Sequence, residues 1–406
     1  MRRVLEVISG IGGLSQAEVA RRTKLSRATV SNLVAELRRR GLVRDGMEGL
    51  RGRGLEVNVA TPGAVVGVDF GHRHVRVGVS DLRGEVLADE ERELPADLGA
   101  REGCIQARAM MTRVLEHAGV PHADVLQAGV GLPYPIDAAS GRLTGQPTPH
   151  PWAGLEPRAF LEETLELPVV IDNDCNLGAL GELRQGAGRG FVDIVFFHAD
   201  ERVGAGVILA GRLHRGIAGT AGEIGHMTVD PHGPTCPCGN RGCLDLAVGA
   251  TNFLEPLRCA YGTHLDIAGV IELAEQGDTR CRRALAEAGQ AMGIVIADLC
   301  NLLGPQRVIV AGPIFGGQEM VLGTLRQTVM HRAVPAAARA VEIVPGQLGS
   351  SAEMVGALWL ALDPIRQRAT RMALSPSGHP AGMGARHVEA SGTPGPGLRR
   401  STAAIG

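Results

Sequence analysis

The chain has 406 residues, 44% of them hydrophobic and 3% aromatic, enough for two or three domains with large cores. No apolar run approaches the ~18 residues of a membrane-spanning helix, and eight Cys with no signal peptide in view argue against a disulfide framework, so a soluble cytoplasmic protein with reduced thiols is expected. The net charge of −2 hides an asymmetry: residues 1–55 carry twelve Arg or Lys against five acids, a basic head of +7 on a body of −9, which points to a polyanion partner for the head alone.

The head reads as helices. Val4, Leu5, Val7, Ile8 and Ile11 give a short amphipathic helix that stops at Gly12 and Gly13. Ser15 caps a second helix, with Glu18 as its capping-box partner and Val19 and Ala20 inward. Ser26 caps a third, RATVSNLVAELRRR, with Val30, Leu33, Val34 and Leu37 on one face and Gly41 as its stop. This is a helix-turn-helix whose last helix enters the major groove of double-stranded DNA. Arg27, Thr29, Ser31 and Asn32 are the candidate base readers, since Arg suits guanine and Asn adenine edges. Arg38, Arg39 and Arg40 suit phosphates or the helix dipole. Leu42-Val43 and Glu56–Val59 read as hairpin strands around the tip GMEGLRGRG. The module is therefore winged, with Arg51 and Arg53 at the tip, in reach of a minor groove or phosphates.

The body alternates strands and helices, an α/β pattern. Val65–Phe70, VRVGVSD and EVLADEERE read as consecutive strands, followed by a helix over 101–118 and a strand over Gln127–Gly131. A helix over Pro157–Leu165 precedes a buried strand over Pro168–Ile171 that ends in DNDCNLGALGE. There Asp174, at a strand end, suits base chemistry or hydroxyl binding; alternatively Asp174 or Asn176 is a helix N-cap. Strands over 193–198, 308–314 and 341–344 and a glycine-rich hairpin over 204–216 follow. Residues 250–303 read as helical around a linker near Gly277-Asp278, and Ser351–Leu362 as a closing helix. From Asp363 the composition predicts a disordered tail. The two lobes are expected to repeat one strand-and-helix plan.

The densest signal is GEIGHMTVDPHGPTCPCGNRGCLD, residues 222–245. His226, Cys236, Cys238 and Cys243 supply the three thiolates and one imidazole of a closed tetrahedral zinc site, among prolines and glycines that suit a tight loop.

This stretch resembles the zinc loop of the ROK family (repressors, open reading frames, sugar kinases), in which GEIGH is followed by C-x-C-G-x-x-G-C-x-E; here the last residue is Asp245. The resemblance runs over residues 1–362 in motif order. It implies a winged helix-turn-helix over 1–60, then a two-lobed, actin-like and sugar-kinase-like (ribonuclease H-like) body over 65–362. Lobe one would span 65–172 plus the C-terminal helix, lobe two 173–340, and the tail 363–406. It implies sugar contacts from Asn173, Asp174, Glu223, His226 and Asp245, with His226 also a ligand of structural Zn2+, and Asp174 as the base if the body is a kinase. The nucleotide side departs from the family: D-x-G-G-T reads DFGHR, with His72 and Arg73 intruding and His74 next. Pro313 likewise replaces a Gly of the adenosine loop, while Tyr134 replaces a Gly of a G-x-P-G-x-x-D turn and His150 the usual Asn of the sugar-side loop.

Eroded phosphate binding beside a nearly complete sugar side implies a regulator and not an enzyme, with ATP unlikely as a cofactor. The expectation is a sugar-responsive repressor of carbohydrate uptake or metabolism genes. It would act as a homodimer or homotetramer on a near-palindromic operator, with a sugar or sugar derivative as effector. The alternatives are an active ROK sugar kinase with a DNA-binding head, and a repressor whose body binds a protein.

Overall fold

A computed structural model of the chain describes residues 3–4, 7–8, 14–39, 43–49, 52–57, 63–95, 98–144 and 150–373. The expectations at Leu5, Ile11, Arg40, Gly41, Leu42, Arg51, Asn58, Val59 and residues 374–406 lie outside the described residues.

In the head, helix α1 (Gln16–Thr23) opens on a reciprocal capping box: Ser15 Oγ accepts from the Glu18 N–H at 3.3 Å, and the Glu18 carboxylate accepts from the Ser15 N–H at 2.9 Å. Helix α2 (Arg27–Arg39) opens on Ser26, whose Oγ accepts from the Thr29 N–H at 3.1 Å. Val30, Val34 and Leu37 recur at helical spacing, so they form one stripe that packs with Val4, Ile8, Leu14 and Val19. Strands β1 (Val43–Gly49) and β2 (Gly52–Val57) pair antiparallel from Val43↔Val57 to Gly49↔Gly52. The wing strands thus run deeper into the glycine-rich stretch than the sequence predicts. Arg53 stands on β2 opposite Glu48 instead of at the tip, because a short connection suffices to turn a hairpin.

The first lobe contains β3 (Ala64–Phe70), β4 (His74–Asp81), β5 (Val86–Glu93), α3 (Ala100–Ala118), β6 (Val125–Leu132), a small hairpin of β7 (Ile136–Asp137) and β8 (Arg142–Leu143), α4 (Pro157–Leu165) and β9 (Val169–Asn173). Helix α5 (Asp174–Gln185) then leads into the second lobe. There follow β10 (Ile194–Ala199), β11 (Val203–Leu209), β12 (Arg212–Leu213), α6 (Leu244–Val248), α7 (Ala250–Tyr261), α8 (Ile267–Glu275), α9 (Thr279–Leu303), β13 (Arg307–Ala311), α10 (Gln318–Arg332), α11 (Pro335–Ala340), β14 (Glu342–Pro345) and the closing helix α12 (Ala352–Ala373).

The sheet orders are β5-β4-β3-β6-β9 and β12-β11-β10-β13-β14. In each, three strands pair antiparallel and two join parallel, so one plan occurs twice, as the sequence leads one to expect. Helices α5 and α12 pack on each other with very close approach. A Cβ on Gly181 would lie 2.2 Å from the Ala352 carbonyl oxygen, and one on Gly356 1.8 Å from that of Leu177. Helix α12 runs past the predicted end at Leu362 to Ala373 despite Pro364. Tertiary contacts outweigh the breaker there: Asp363 pairs with Arg184 at 2.8 Å, and the Arg366 guanidinium lies 5.0 Å over the Trp359 ring. The 250–303 stretch is three helices, because Gly262 and Gly277 take left-handed φ of 97° and 101° between them.

Candidate functional site

The C-terminal ends of β3, β6 and β9 bring Asp69, Gly131 and the Asp172–Asp174 run together: a Cβ on Gly131 would lie 3.2 Å from Asp69 Oδ1 and 3.8 Å from the Asp174 Cα. Asn173 is the N-cap of α5, its Oδ1 accepting from the Asn176 N–H at 3.1 Å, so the cap falls one residue before Asp174. The Asn173 amide also donates to Asp174 Oδ1 at 2.9 Å and to the Tyr134 carbonyl at 3.3 Å. Asp174 is half-buried, and burial pushes its carboxyl up to about 6, with His198 opposing and Asp69 adding to the rise.

Glu223 is positioned by Gly222, which takes φ 103° and lies so near β11 that a Cβ would be 1.9 Å from the Ala205 carbonyl oxygen. Its carboxyl is half-buried and has no hydrogen-bond partner among the described residues. Burial pushes it up to about 7, with Asp174 and Asp245 adding. Two desolvated carboxyls that sense each other, with acceptor capacity to spare, suit a neutral ligand that carries several hydroxyls. Asp245 is the further carboxyl that bears on Glu223. It is buried, with Oδ2 accepting from Arg202 at 2.8 Å and Oδ1 from the Val203 N–H at 3.0 Å.

The predicted metal ligands converge. The ligand atoms of His226, Cys236, Cys238 and Cys243 all lie within 4.8 Å of one another. Cys236 Sγ is 3.7 Å from His226 Nδ1, and Cys238 Sγ 3.8 Å from Cys243 Sγ. Zinc–sulfur bonds of ~2.3 Å set tetrahedral edges of about 3.8 Å, so the residues fit the ion. Burial, with the neighbouring Cys236 and Cys238 adding, pushes the Cys243 thiol up to about 12; a dication would supply the charge that turns it to thiolate. Gly242 makes the loop possible, since at φ 56° a Cβ would lie 1.6 Å from the Asp230 carbonyl oxygen. With Nδ1 facing the thiols, Nε2 of the exposed His226 is left for another partner.

The loop that links β3 to β4 is turned in on itself. His74 Nε2 lies 3.0 Å from Asp69 Oδ2, and the imidazole covers Gly71 so closely that a Cβ there would be 2.1 Å from His74 Cε1. Burial opposes a charge on His74, but the hydrogen bond and charge of Asp69, then Glu91 and Asp200, outweigh it and raise its pKa. Asp69 Oδ1 is buried without a partner. Arg73 Nη1 reaches Glu201 of the second lobe at 3.5 Å, and His72 meets the Tyr134 ring edge-on at 6.3 Å. Tyr134 in turn lies 5.2 Å from the His150 ring, and His150 Nδ1 is buried and unpartnered. Pro313 begins a tight turn beside a cavity of about 300 Å³ lined by Ala268, Ile271, Glu272, Glu275 and Gly316.

Sequence reasoning missed Arg202, the buried Glu353 that lies 3.4 Å from His198, and the Arg215–Asp172 pair, whose Nε–Oδ2 distance is 2.7 Å. None sits in a local motif; each needs the sheets folded to meet its partner. In the head, Arg27, Thr29, Ser31 and Asn32 are all exposed on α2, although Thr29 Oγ1 also meets Ser26 Oγ at 2.8 Å. Arg38 pairs with Asp45 and Arg39 with Glu36, so these two arginines also hold carboxylates.

A winged helix-turn-helix joined to a twice-repeated sugar-kinase-like body, with a centre of one histidine and three cysteines, defines a class of modular regulators. The ROK family signature matches residues 65–364, and the MarR family signature residues 2–53. The chain belongs to the ROK family and carries a MarR-type winged head. It is 28% identical to the xylose repressor of Bacillus spizizenii over 351 residues, 84% of this chain and 89% of that one. A solved ROK family transcriptional regulator, a homologue of the Escherichia coli MLC protein, shares the fold with a TM-score of 0.70 at 20% identity, over 91% of this chain and 97% of that one. A ROK family glucokinase from Streptomyces griseus, solved with glucose and AMPPNP, is 29% identical with a TM-score of 0.63, over 74% of this chain and 99% of its own. No helix among the described residues is long and apolar enough to cross a membrane.

Proposed function

We propose that this protein is a sugar-responsive transcriptional repressor of carbohydrate genes, in which a zinc-stabilised sugar site sits beside a phosphate cradle that no longer takes a nucleotide. The observation that carries this reading is the contrast between the two halves of the cleft. On the sugar side, the Asp174 and Glu223 carboxyls lie near enough to raise each other's protonation, and Glu223 and His226 Nε2 keep unused hydrogen-bonding capacity. On the phosphate side, the His74 imidazole lies over Gly71 and against Asp69. Phosphoryl transfer depends on positioning and charge neutralisation, so a cradle filled by its own chain loses most of its rate. Glu272 and Glu275 add negative charge to the cavity beside the Pro313 turn, where the resemblance puts the adenosine loop.

In this reading Asp174, Glu223 and His226 hold the sugar hydroxyls. Asn173 and Asp245 support them, the first by fixing Asp174 and the second by fixing Arg202. His226, Cys236, Cys238 and Cys243 hold structural Zn2+, which orients the His226 ring. Residues 1–60 read the operator through Arg27, Thr29, Ser31 and Asn32, with Arg51 and Arg53 of the wing on the backbone or minor groove. The body runs from residue 65 through the end of α12 at Ala373, past the boundary expected at 362. Two heads of a homodimer, or pairs of heads in a homotetramer, match a near-palindromic operator.

The kinase alternative draws support from the likeness to a ROK glucokinase and from a carboxyl at Asp174 with its pKa raised to about 6, as suits a general base. One experiment decides between them: zinc-loaded protein is titrated on its operator fragment with and without sugars, and assayed with ATP and the same sugars in a coupled assay. Release of DNA by a sugar with no turnover is expected. Robust turnover abolished by Asp174→Asn would establish the kinase.

A further inference from the structure

Tyr134 stands where three parts of the cleft meet. Its ring meets two imidazoles, edge-on to His72 of the β3–β4 loop at 6.3 Å and tilted against His150 at 5.2 Å. Its carbonyl accepts from the Asn173 amide, which also holds Asp174. Burial raises its phenol pKa; Arg202 of the second lobe opposes the rise and Asp174 adds to it.

The orientation of a bound sugar follows from the proposed function, on which this inference rests. A ring held at one end by Glu223 and His226 directs its other end toward Asp174 and the phosphate cradle, where a kinase would carry the exocyclic hydroxymethyl group of a hexose. At that end this chain has a phenol ring braced by His72 and His150. The contacts matter: a ring that meets two imidazoles cannot swing away to admit two further heavy atoms without breaking those contacts.

We propose that Tyr134, braced by His72 and His150, makes this site selective for sugars that lack the exocyclic hydroxymethyl group, that is, for pentopyranoses over the corresponding hexopyranoses. Tyr134 is thus a specificity-determining residue of the effector site. A pocket closed at one methylene discriminates by about tenfold or more.

The test uses pairs of sugars that differ only in that group: D-xylose and D-glucose, L-arabinose and D-galactose, D-lyxose and D-mannose. Each is titrated calorimetrically into zinc-loaded full-length protein, its Tyr134→Ala variant and its Tyr134→Phe variant, with thermal unfolding as the check on folding. In any pair that binds, the pentose is expected to bind about tenfold or more tighter. Tyr134→Ala is expected to bring the ratio toward one by strengthening hexose binding, while Tyr134→Phe, which keeps the ring, preserves the preference. A hexose that binds wild-type protein as well as its pentose partner, or a ratio that Tyr134→Ala leaves unchanged, would overturn the inference and leave the sugar-effector reading standing. Binding of none of the six would overturn that reading, and this inference with it.

Discussion

Asp174 and Glu223 hold their protons to higher pH than ordinary carboxyls, to about 6 and about 7, chiefly because burial penalises their charge. Their unfolded values lie near ~4. Between those limits the folded chain binds more protons than the unfolded one, so these two groups disfavour folding increasingly as pH rises from about 4 to 7. A sugar reverses part of this. Hydroxyls that donate to the charged carboxylates favour ionisation and lower both pKa values. Sugar binding near pH 7 is therefore expected to release protons, read by calorimetry in buffers of differing ionisation heat; uptake of protons would mean the two carboxyls do not accept from the ligand. At this scale the sequence revealed chemistry better than geometry. Asp174 and Glu223 were legible because each sits in a local motif that fixes its backbone. Asp245 was legible as a residue, but not its partners, since Arg202 and Val203 reach it only once β11 packs against α6.

Among the elements, the 222–245 loop buries only Ile224 and Leu244 among its aliphatic side chains, so a metal on its four ligands would be a main brace. Cys236→Ser is expected to lose bound zinc, to lower the unfolding midpoint by about 5 °C or more, and to weaken sugar binding, because the His226 ring loses the anchor on Nδ1. Metal analysis, thermal unfolding and calorimetry on one preparation check all three; full sugar affinity in zinc-free protein would detach the metal from the site. In the head, the exposed Asn32 is expected to read a base edge. Asn32→Ala should cost about 1–3 kcal/mol of operator affinity, concentrated at one base-pair position, whereas loss of a phosphate contact weakens all sequences alike. Binding titrations on single-base operator variants distinguish the two. The head helices were legible because Ser15, Glu18 and Ser26 are local start signals that tertiary packing does not need to supply. The end of α12 was not: Pro364 reads as a breaker, and only the meeting of Asp363 with Arg184 and of Arg366 with Trp359 carries the helix past it.

In the whole molecule, the loop between β12 and Glu223 ties the second lobe to the first beside Asn173 and Asp174. Arg215 donates from Nε to Asp172 Oδ2 at 2.7 Å, Thr144 Oγ1 donates to the Ala218 carbonyl at 2.9 Å, and Gly219 at φ 72° lies against the Ile136 carbonyl oxygen. Asp172 is fully buried, and its other oxygen accepts from Asn176 at 2.9 Å. One carboxylate therefore joins the lobes and braces the strand end that presents Asn173 and Asp174. If sugar changes operator affinity through the angle between the lobes, this pair lies on the coupled element, and the coupling must be reciprocal: whatever sugar does to DNA affinity, DNA does to sugar affinity. Arg215→Met keeps the aliphatic stem and removes the charge from a buried partner. It should destabilise the body by about 2 kcal/mol, below the range for fully buried pairs because Arg215 keeps 31% of its side-chain surface exposed. It should also shift operator release to higher sugar concentration, with operator affinity in the absence of sugar changed little, since the head has its own core. Operator titrations at several sugar concentrations, beside denaturant unfolding, measure both. An unchanged release curve in a measurably destabilised variant would remove the pair from the coupling and leave it a structural tie.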